Sequence, residues 1–84
     1  MDQNEILSKI AAILVKNLGV EEHEVTMEAR FLDDLGSDSI LLAEIIMELE
    51  DIYHLRISDE EASQLRTVGD AVRYILAHDG KSAA

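Results

Sequence analysis

The sequence predicts an all-α domain with three longer helical segments and one short one. Three observations carry that expectation. Apolar residues recur at i, i+3 and i+4 along the longer segments, the spacing that puts them on one face of a helix. Residues that start or stop helices bound the segments, and no proline interrupts them. The chain has 84 residues, so residues 1–84 are expected to form one domain. A domain of this size buries roughly 60–65% of its unfolded surface, enough for a single modest core.

Ile6, Leu7, Ile10, Ile13, Leu14 and Leu18 make the inner face of a first helix over residues 4–18. Gly19 then supplies the left-handed stop that helices commonly use. Residues 20–35 form a long connection with apolar anchors at Val20, Val25, Met27, Phe31, Leu32 and Leu35, so it is expected to be ordered and packed on the helices. A loop this long inside a compact domain is uncommon and often functional. The second helix is expected over residues 39–53, with Ala43, Ile45, Ile46, Leu49, Ile52 and Tyr53 as candidates for burial. A short helix over 59–65 follows Ser58, which stands three residues before Glu61 in capping-box spacing. The last helix covers 68–78 after Thr67, with Ala71, Val72, Tyr74 and Ile75 inward. Gly80 follows it, and residues 79–84 read as a mobile tail. There is no internal repeat and no low-complexity segment.

Composition removes several classes of function. The net charge is -11, from 18 acids against 7 bases, so nucleic acid and anionic membrane surfaces would repel the chain. Between Asp33 and Glu61 there are ten acids and one base, Arg56. That stretch is either a solvated face or a recognition surface for basic patches on other proteins. No cysteine is present, which excludes disulfides, thiolate metal sites and cysteine nucleophiles. No apolar stretch approaches the ~20 residues of a membrane span. The acidic N-terminus lacks the basic region of a secretory signal. The chain reads as complete, cytoplasmic and monomeric.

The candidate functional residue is Ser39. It follows a glycine turn and a capping type of residue, Asp38, and it opens the second helix. A surface serine there suits a phosphate-linked group, because free backbone N–H groups and the helix dipole both favour negative charge. Catalysis by Ser39 is not expected, since there is no G-x-S-x-G elbow and no nearby histidine base. His23, His54 and His78 stand at no metal-ligand spacing. Asp33, Asp34 and Asp38 fail as a calcium loop: with Gly36 sixth, the first ligand would be Phe31. No metal site and no enzymatic activity are expected.

The run Phe31-Leu32-Asp33-Asp34-Leu35-Gly36-Ser37-Asp38-Ser39-Ile40 resembles the Asp-Leu-Gly-x-Asp-Ser-Leu signature of acyl carrier proteins. The likeness extends through Leu18-Gly19-Val20, the second helix from Ala43 to Glu50, and the stretches 57–62 and 67–75, about seventy residues in register. It implies a four-helix bundle of three longer helices and one short one. It implies that Ser39 receives 4′-phosphopantetheine from coenzyme A through a phosphopantetheinyl transferase. Acyl groups would then travel as thioesters on the imported thiol, between acyl-loading and acyl-processing enzymes that present basic patches. The matching partner-recognition positions are Asp38, Ile40, Glu44, Met47, Glu48, Glu50 and Asp51. Leu41 joins them as an outward apolar contact beside the arm. The acyl chain of family members tucks between helices. The matching lining is Phe31, Leu42, Ile46 and Leu49 from the first half, with Ile57, Ala62, Leu65 and Tyr74 from the second.

The chain also departs from fatty-acid carriers. Ile40-Leu41-Leu42 follows the serine where those carriers usually show Leu and then an acid. Ser58 replaces a frequent proline, and Ile52 and Leu55 are apolar at positions often polar. These differences leave both a general fatty-acid carrier and a specialised one, for a polyketide or modified lipid, open. Two rivals are an aminoacyl or peptidyl carrier and a non-carrier acidic interaction module. Gly36-Ser37-Asp38-Ser39 fits the acyl type better than the Gly-Gly-His-Ser pattern of peptidyl carriers.

Overall fold

Local hydrogen bonding sets where each helix begins and ends in the structure, a computed structural model that describes residues 2–82 and the side chains of 2–78. Helix α1 (Gln3–Leu18) starts where the Asp2 carboxylate accepts the Glu5 N–H, and stops at Gly19, whose φ of 72° is left-handed. A short 3-10 turn, Glu22–Glu24, follows. Helix α2 (Ser39–Tyr53) is capped by Asp38 and ends at His54, itself left-handed with φ 54°. Helix α3 (Asp59–Ala62) opens with a reciprocal capping box between Ser58 and Glu61. Helix α4 (Val68–Ser82) opens on a similar exchange. There the Thr67 hydroxyl accepts the Asp70 N–H at 3.1 Å and the Asp70 carboxylate accepts the Thr67 N–H at 3.2 Å.

Two helix ends differ from the sequence expectation. Helix α3 closes at Ala62 rather than 65, because Gln64 and Leu65 donate to the carbonyls three residues back, Glu61 and Ala62. Those tighter turns carry Leu65 into the interior. Helix α4 continues through Ser82 instead of stopping at 78. Gly80 lies within its last turn, where a glycine costs about 1 kcal/mol but does not break the helix. Of the tail expected over 79–84, residues 83 and 84 lie outside the described residues.

The core forms where α1, α2 and α4 meet. Ile6, Ile10 and Leu14 from α1 join Ile45 and Leu49 from α2 and Val72 and Ile75 from α4. The long connection contributes Val25, Ala29, Phe31 and Leu35, so it is packed as expected. Its backbone is also tied to the start of α4. Phe31 N–H donates to Arg66 O at 3.1 Å, Val68 N–H to Ala29 O at 2.9 Å and Gly69 N–H to Met27 O at 2.8 Å. Three residues expected inside are exposed: Leu32 and Ile52, at 53% and 42%, and Ala43. Phe31 and Leu35 occupy the inner side of their turn and leave Leu32 outside. On α2, at about 100° per residue, Ala43 and Ile52 fall to either side of the stripe made by Ile45, Leu49 and Tyr53.

Candidate functional site

The turn before α2 is built to present one serine. Gly36 takes a φ of 71°, a conformation other residues adopt only with strain. Ser37 is buried at 7%, and its N–H donates to Phe31 O at 3.0 Å. The Ser37 hydroxyl donates to Asp38 O at 3.0 Å. The Asp38 carboxylate accepts the Leu41 N–H at 2.8 Å and so caps α2. Asp34 accepts the Arg30 N–H at 2.8 Å. Both carboxylates beside the serine are thus committed to backbone donors. Ser39 is the first residue of α2 and is exposed, and its hydroxyl makes no hydrogen bond among the described residues. An exposed, uncommitted hydroxyl at a helix start is what a phosphodiester-linked group requires. The Ser39 and Ile40 N–H groups lie at the positive end of the helix dipole, which favours such a charge by ~0.3–1 kcal/mol.

Helix α2 has an outward stripe. Ile40, Glu44, Met47 and Asp51 share one face, opposite Ile45 and Leu49 at 100° per residue. Ile40 and Met47 are 72% and 62% exposed, and Glu44 and Asp51 make no hydrogen bond or ion pair among the described residues. Other acids of the helix are engaged. Glu48 accepts from Lys16 Nζ at 3.0 Å and Asn17 Nδ2 at 3.1 Å on α1. The Lys16 and Asn17 hydrogen bonds hold its carboxyl below the usual range. Glu50 accepts the Ile57 N–H at 2.7 Å and so ties down the connection after α2. Leu41 is half-buried at the edge of the inner stripe.

The expected acyl-lining residues divide into two groups. Ile46, Ile57 and Leu65 form a second, smaller cluster, with Leu42, Ala62 and Tyr74 packed on it. Phe31 and Leu49 belong to the main core, and Leu49 is only 1% exposed. The second cluster floors a groove of about 310 Å³ that runs from Ser39 past Ile46 and Met47 to Ile57 and Ala62. Leu42, Ala62 and Ser63 also line a neighbouring groove of about 610 Å³ beneath Phe31 and Leu32. The rim of that second groove holds Arg30 and Arg66, which sequence reasoning did not single out. They are 36 residues apart, and no periodic signal links them. The Tyr74 hydroxyl donates to Arg56 O at 3.2 Å, and burial, then the Glu61 carboxylate, raise its pKa.

The chain is thus a small helical module with an exposed serine beside a groove. Residues 8–75 match the phosphopantetheine attachment site family. Over 78 residues the chain is 51% identical to an acyl carrier protein of Rubrobacter xylanophilus, covering 93% of this chain and 96% of that protein. Its fold matches the structure of an acyl carrier protein from Enterococcus faecalis with a TM-score of 0.78 at 42% identity, covering 92% of this chain and 98% of that one. The chain belongs to the acyl carrier protein family. It is a carrier and not an enzyme, and 4′-phosphopantetheine is the group that the family's attachment site takes. Membership implies a phosphopantetheinyl transferase and acyl-processing enzymes as partners. Among the described residues no helix is long and apolar enough to cross a membrane.

Proposed function

We infer that Ser39 carries the 4′-phosphopantetheine arm and that the groove beside it shelters the acyl chain. The observation that carries this reading is the isolation of the Ser39 hydroxyl. It is exposed at the start of α2, free of hydrogen bonds among the described residues, and stands at the mouth of the groove floored by Ile46 and Ile57. The arm supplies the thiol that this cysteine-free chain lacks. Ser39 needs no base of its own, because the transferase that installs the arm activates it.

Partner enzymes read the outward stripe Ile40, Glu44, Met47 and Asp51, with Leu41 at its edge. The exposure of the two apolar residues and the freedom of the two acids support that assignment. Charge complementarity with basic patches would speed the encounter, and the apolar pair would supply the contact that persists. Asp38, Glu48 and Glu50 contribute negative potential to the same side while their carboxylates are held by this chain's own donors. In this reading the carrier domain acts as a monomer in the cytoplasm. An aminoacyl cargo is less well served, because Gly36-Ser37-Asp38-Ser39 is the acyl type of approach to the attachment point.

Incubation with transferase, magnesium and coenzyme A should add one phosphopantetheine mass to the chain. Ser39→Ala should stay unmodified and remain helical, since Asp38 still caps α2 through the Leu41 N–H. Full-rate modification of Ser39→Ala would remove the assignment.

A further inference from the structure

The rim of the larger groove departs from the rest of the surface in charge. The chain carries -11 overall, and ten of its acids fall between Asp33 and Glu61. Two arginines nevertheless line the one groove, Arg30 from the long connection and Arg66 from the segment before α4, together with Asp33 and Asp70. Their backbones are fixed relative to one another. Arg30 stands opposite Thr67 in an antiparallel bridge, and Phe31 N–H donates to Arg66 O at 3.1 Å.

Their carboxylate neighbours do not consume both charges. Asp70 also lines the groove, but it is held by Arg73 Nη2 at 2.8 Å and by the Arg66 and Thr67 N–H groups. The Arg66 guanidinium makes no ion pair among the described residues. Arg30 meets Asp33 at 3.3 Å with both side chains well exposed, a contact worth little and readily exchanged. Between the arginines and Ser39 the two grooves adjoin along Leu42, Ala62 and Ser63. Leu42 and Ala62 are common to this groove and to the one that opens at Ser39.

We propose that Arg30 and Arg66 receive a carboxylate at the far end of the acyl chain, so that this carrier favours cargo with an anionic terminus over a plain hydrocarbon one. The proposal rests on the reading of Ser39 as the point of attachment. The methylenes of such a chain would lie along Leu42, Ala62 and Leu65. Its terminal carboxylate would emerge at the rim, where a guanidinium can accept it through paired N–H groups. A chain ending in a methyl group gains the same apolar burial and nothing from the arginines.

The test uses holo protein loaded with thioesters of a single chain length that end in a carboxylate, a methyl ester or a methyl group. Intact mass of the parent, with Ser39→Ala beside it, first confirms one loaded arm per chain at Ser39. A missing arm refutes the attachment reading, and the cargo proposal with it. Thioester hydrolysis is then timed, since a chain held in the groove shields its thioester from water. The carboxylate-ended chain should hydrolyse roughly two- to fivefold more slowly than the methyl ester, the ratio expected of a partly exposed ion pair. Half-molar salt should reduce that ratio towards one. Arg66→Gln and Arg30→Gln, both at exposed positions, should abolish it while leaving hydrolysis of the methyl-ended chain unchanged. Equal protection of carboxylate and ester, or a preference that survives both substitutions, overturns the proposal.

Discussion

Gly69 shows how much one residue controls the approach to the site. A Cβ added there would lie 2.8 Å from the Met27 carbonyl oxygen, and that carbonyl is held by the Gly69 N–H. The backbone of the long connection would have to move, and Ser37, two residues before Ser39, is anchored to that connection through Phe31 O. Gly69→Ala should therefore lose about 1–2 kcal/mol in urea denaturation, although alanine is the better helix former by ~1 kcal/mol. A variant as stable as the parent would mean that the loop yields freely. Leu41 is a second residue whose place decides its role. It is half-buried and belongs to neither core cluster, whereas Leu42 packs on both. Leu41→Asp should change stability by less than ~0.5 kcal/mol, as at most surface sites, and should alter turnover by partner enzymes. A loss of ~2 kcal/mol or more would place Leu41 in the core and end its role as a partner contact. The exposed place of Ser39 at the start of α2 was legible in the sequence because a turn glycine, a capping aspartate and a helix start are all local signals. The commitment of Glu48 to α1 was not, because its partners lie 31 and 32 residues away.

At the scale of elements, capping chemistry explains both what the sequence revealed and what it concealed. The Ser58–Glu61 box and the Asp38 cap are short-range patterns, and α2 and α3 begin where those patterns place them. Helix ends carry weaker sequence signals than helix starts: α3 closes early through bonds to carbonyls three residues back, and α4 runs on past Gly80. Burial along α2 had the same limit: periodicity fixed the centre of the stripe at Ile45 and Leu49 but not its width, which left Ile52 outside. Glu50 joins two elements. Removing its carboxylate leaves the partly buried Ile57 N–H without its acceptor, so Glu50→Ala should cost about 1–2 kcal/mol. Glu44→Ala should stay within about 0.5 kcal/mol, because Glu44 is exposed and uncommitted. Equal stabilities for the two variants would return Glu50 to the recognition surface. Asp70 sets a pH dependence at the start of α4. Burial opposes its ionisation, but the N–H groups of Thr67 and Arg66, the Arg73 guanidinium and the Thr67 hydroxyl together hold its carboxyl below the usual 3.8. The folded state therefore binds this proton more weakly than the unfolded chain does. Its stabilisation is full above the unfolded value and is lost as pH falls through the folded one. The stability gap between the parent and Asp70→Asn should be constant from pH 7 to about 5 and narrow below about 4. A gap that widens on acidification would reverse the assignment.

Across the whole molecule, local order works against global repulsion. The chain holds 18 acids and 7 bases, and Arg30, Arg73 and Lys16 already face carboxylates. Of the remaining acids, eight fall between Asp34 and Glu61, a stretch that includes Ser39 and the outward face of α2. On the proposed reading that concentration would steer basic enzymes towards Ser39, and it also disfavours the compact folded state. Screening shortens both effects, with a reach of ~8 Å at physiological ionic strength. Added NaCl should therefore raise the melting temperature, by about 4–8 °C for each kcal/mol of repulsion relieved in a domain of this size. Mg²⁺ should act at lower concentration, because a divalent ion screens more strongly and can sit between neighbouring carboxylates. The same salt should slow association with a basic partner enzyme, measured by stopped flow, while dissociation changes less. The two responses have one origin and should share one dependence on ionic strength. A melting temperature indifferent to salt, alongside a salt-sensitive association rate, would show that the acids act on partners without straining the fold. Neutralising Glu44 and Asp51 to Gln and Asn separates the contributions further. Both are exposed and uncommitted, so the double variant should melt higher than the parent at low salt and bind its partners more slowly, and the difference in melting should vanish at half-molar NaCl.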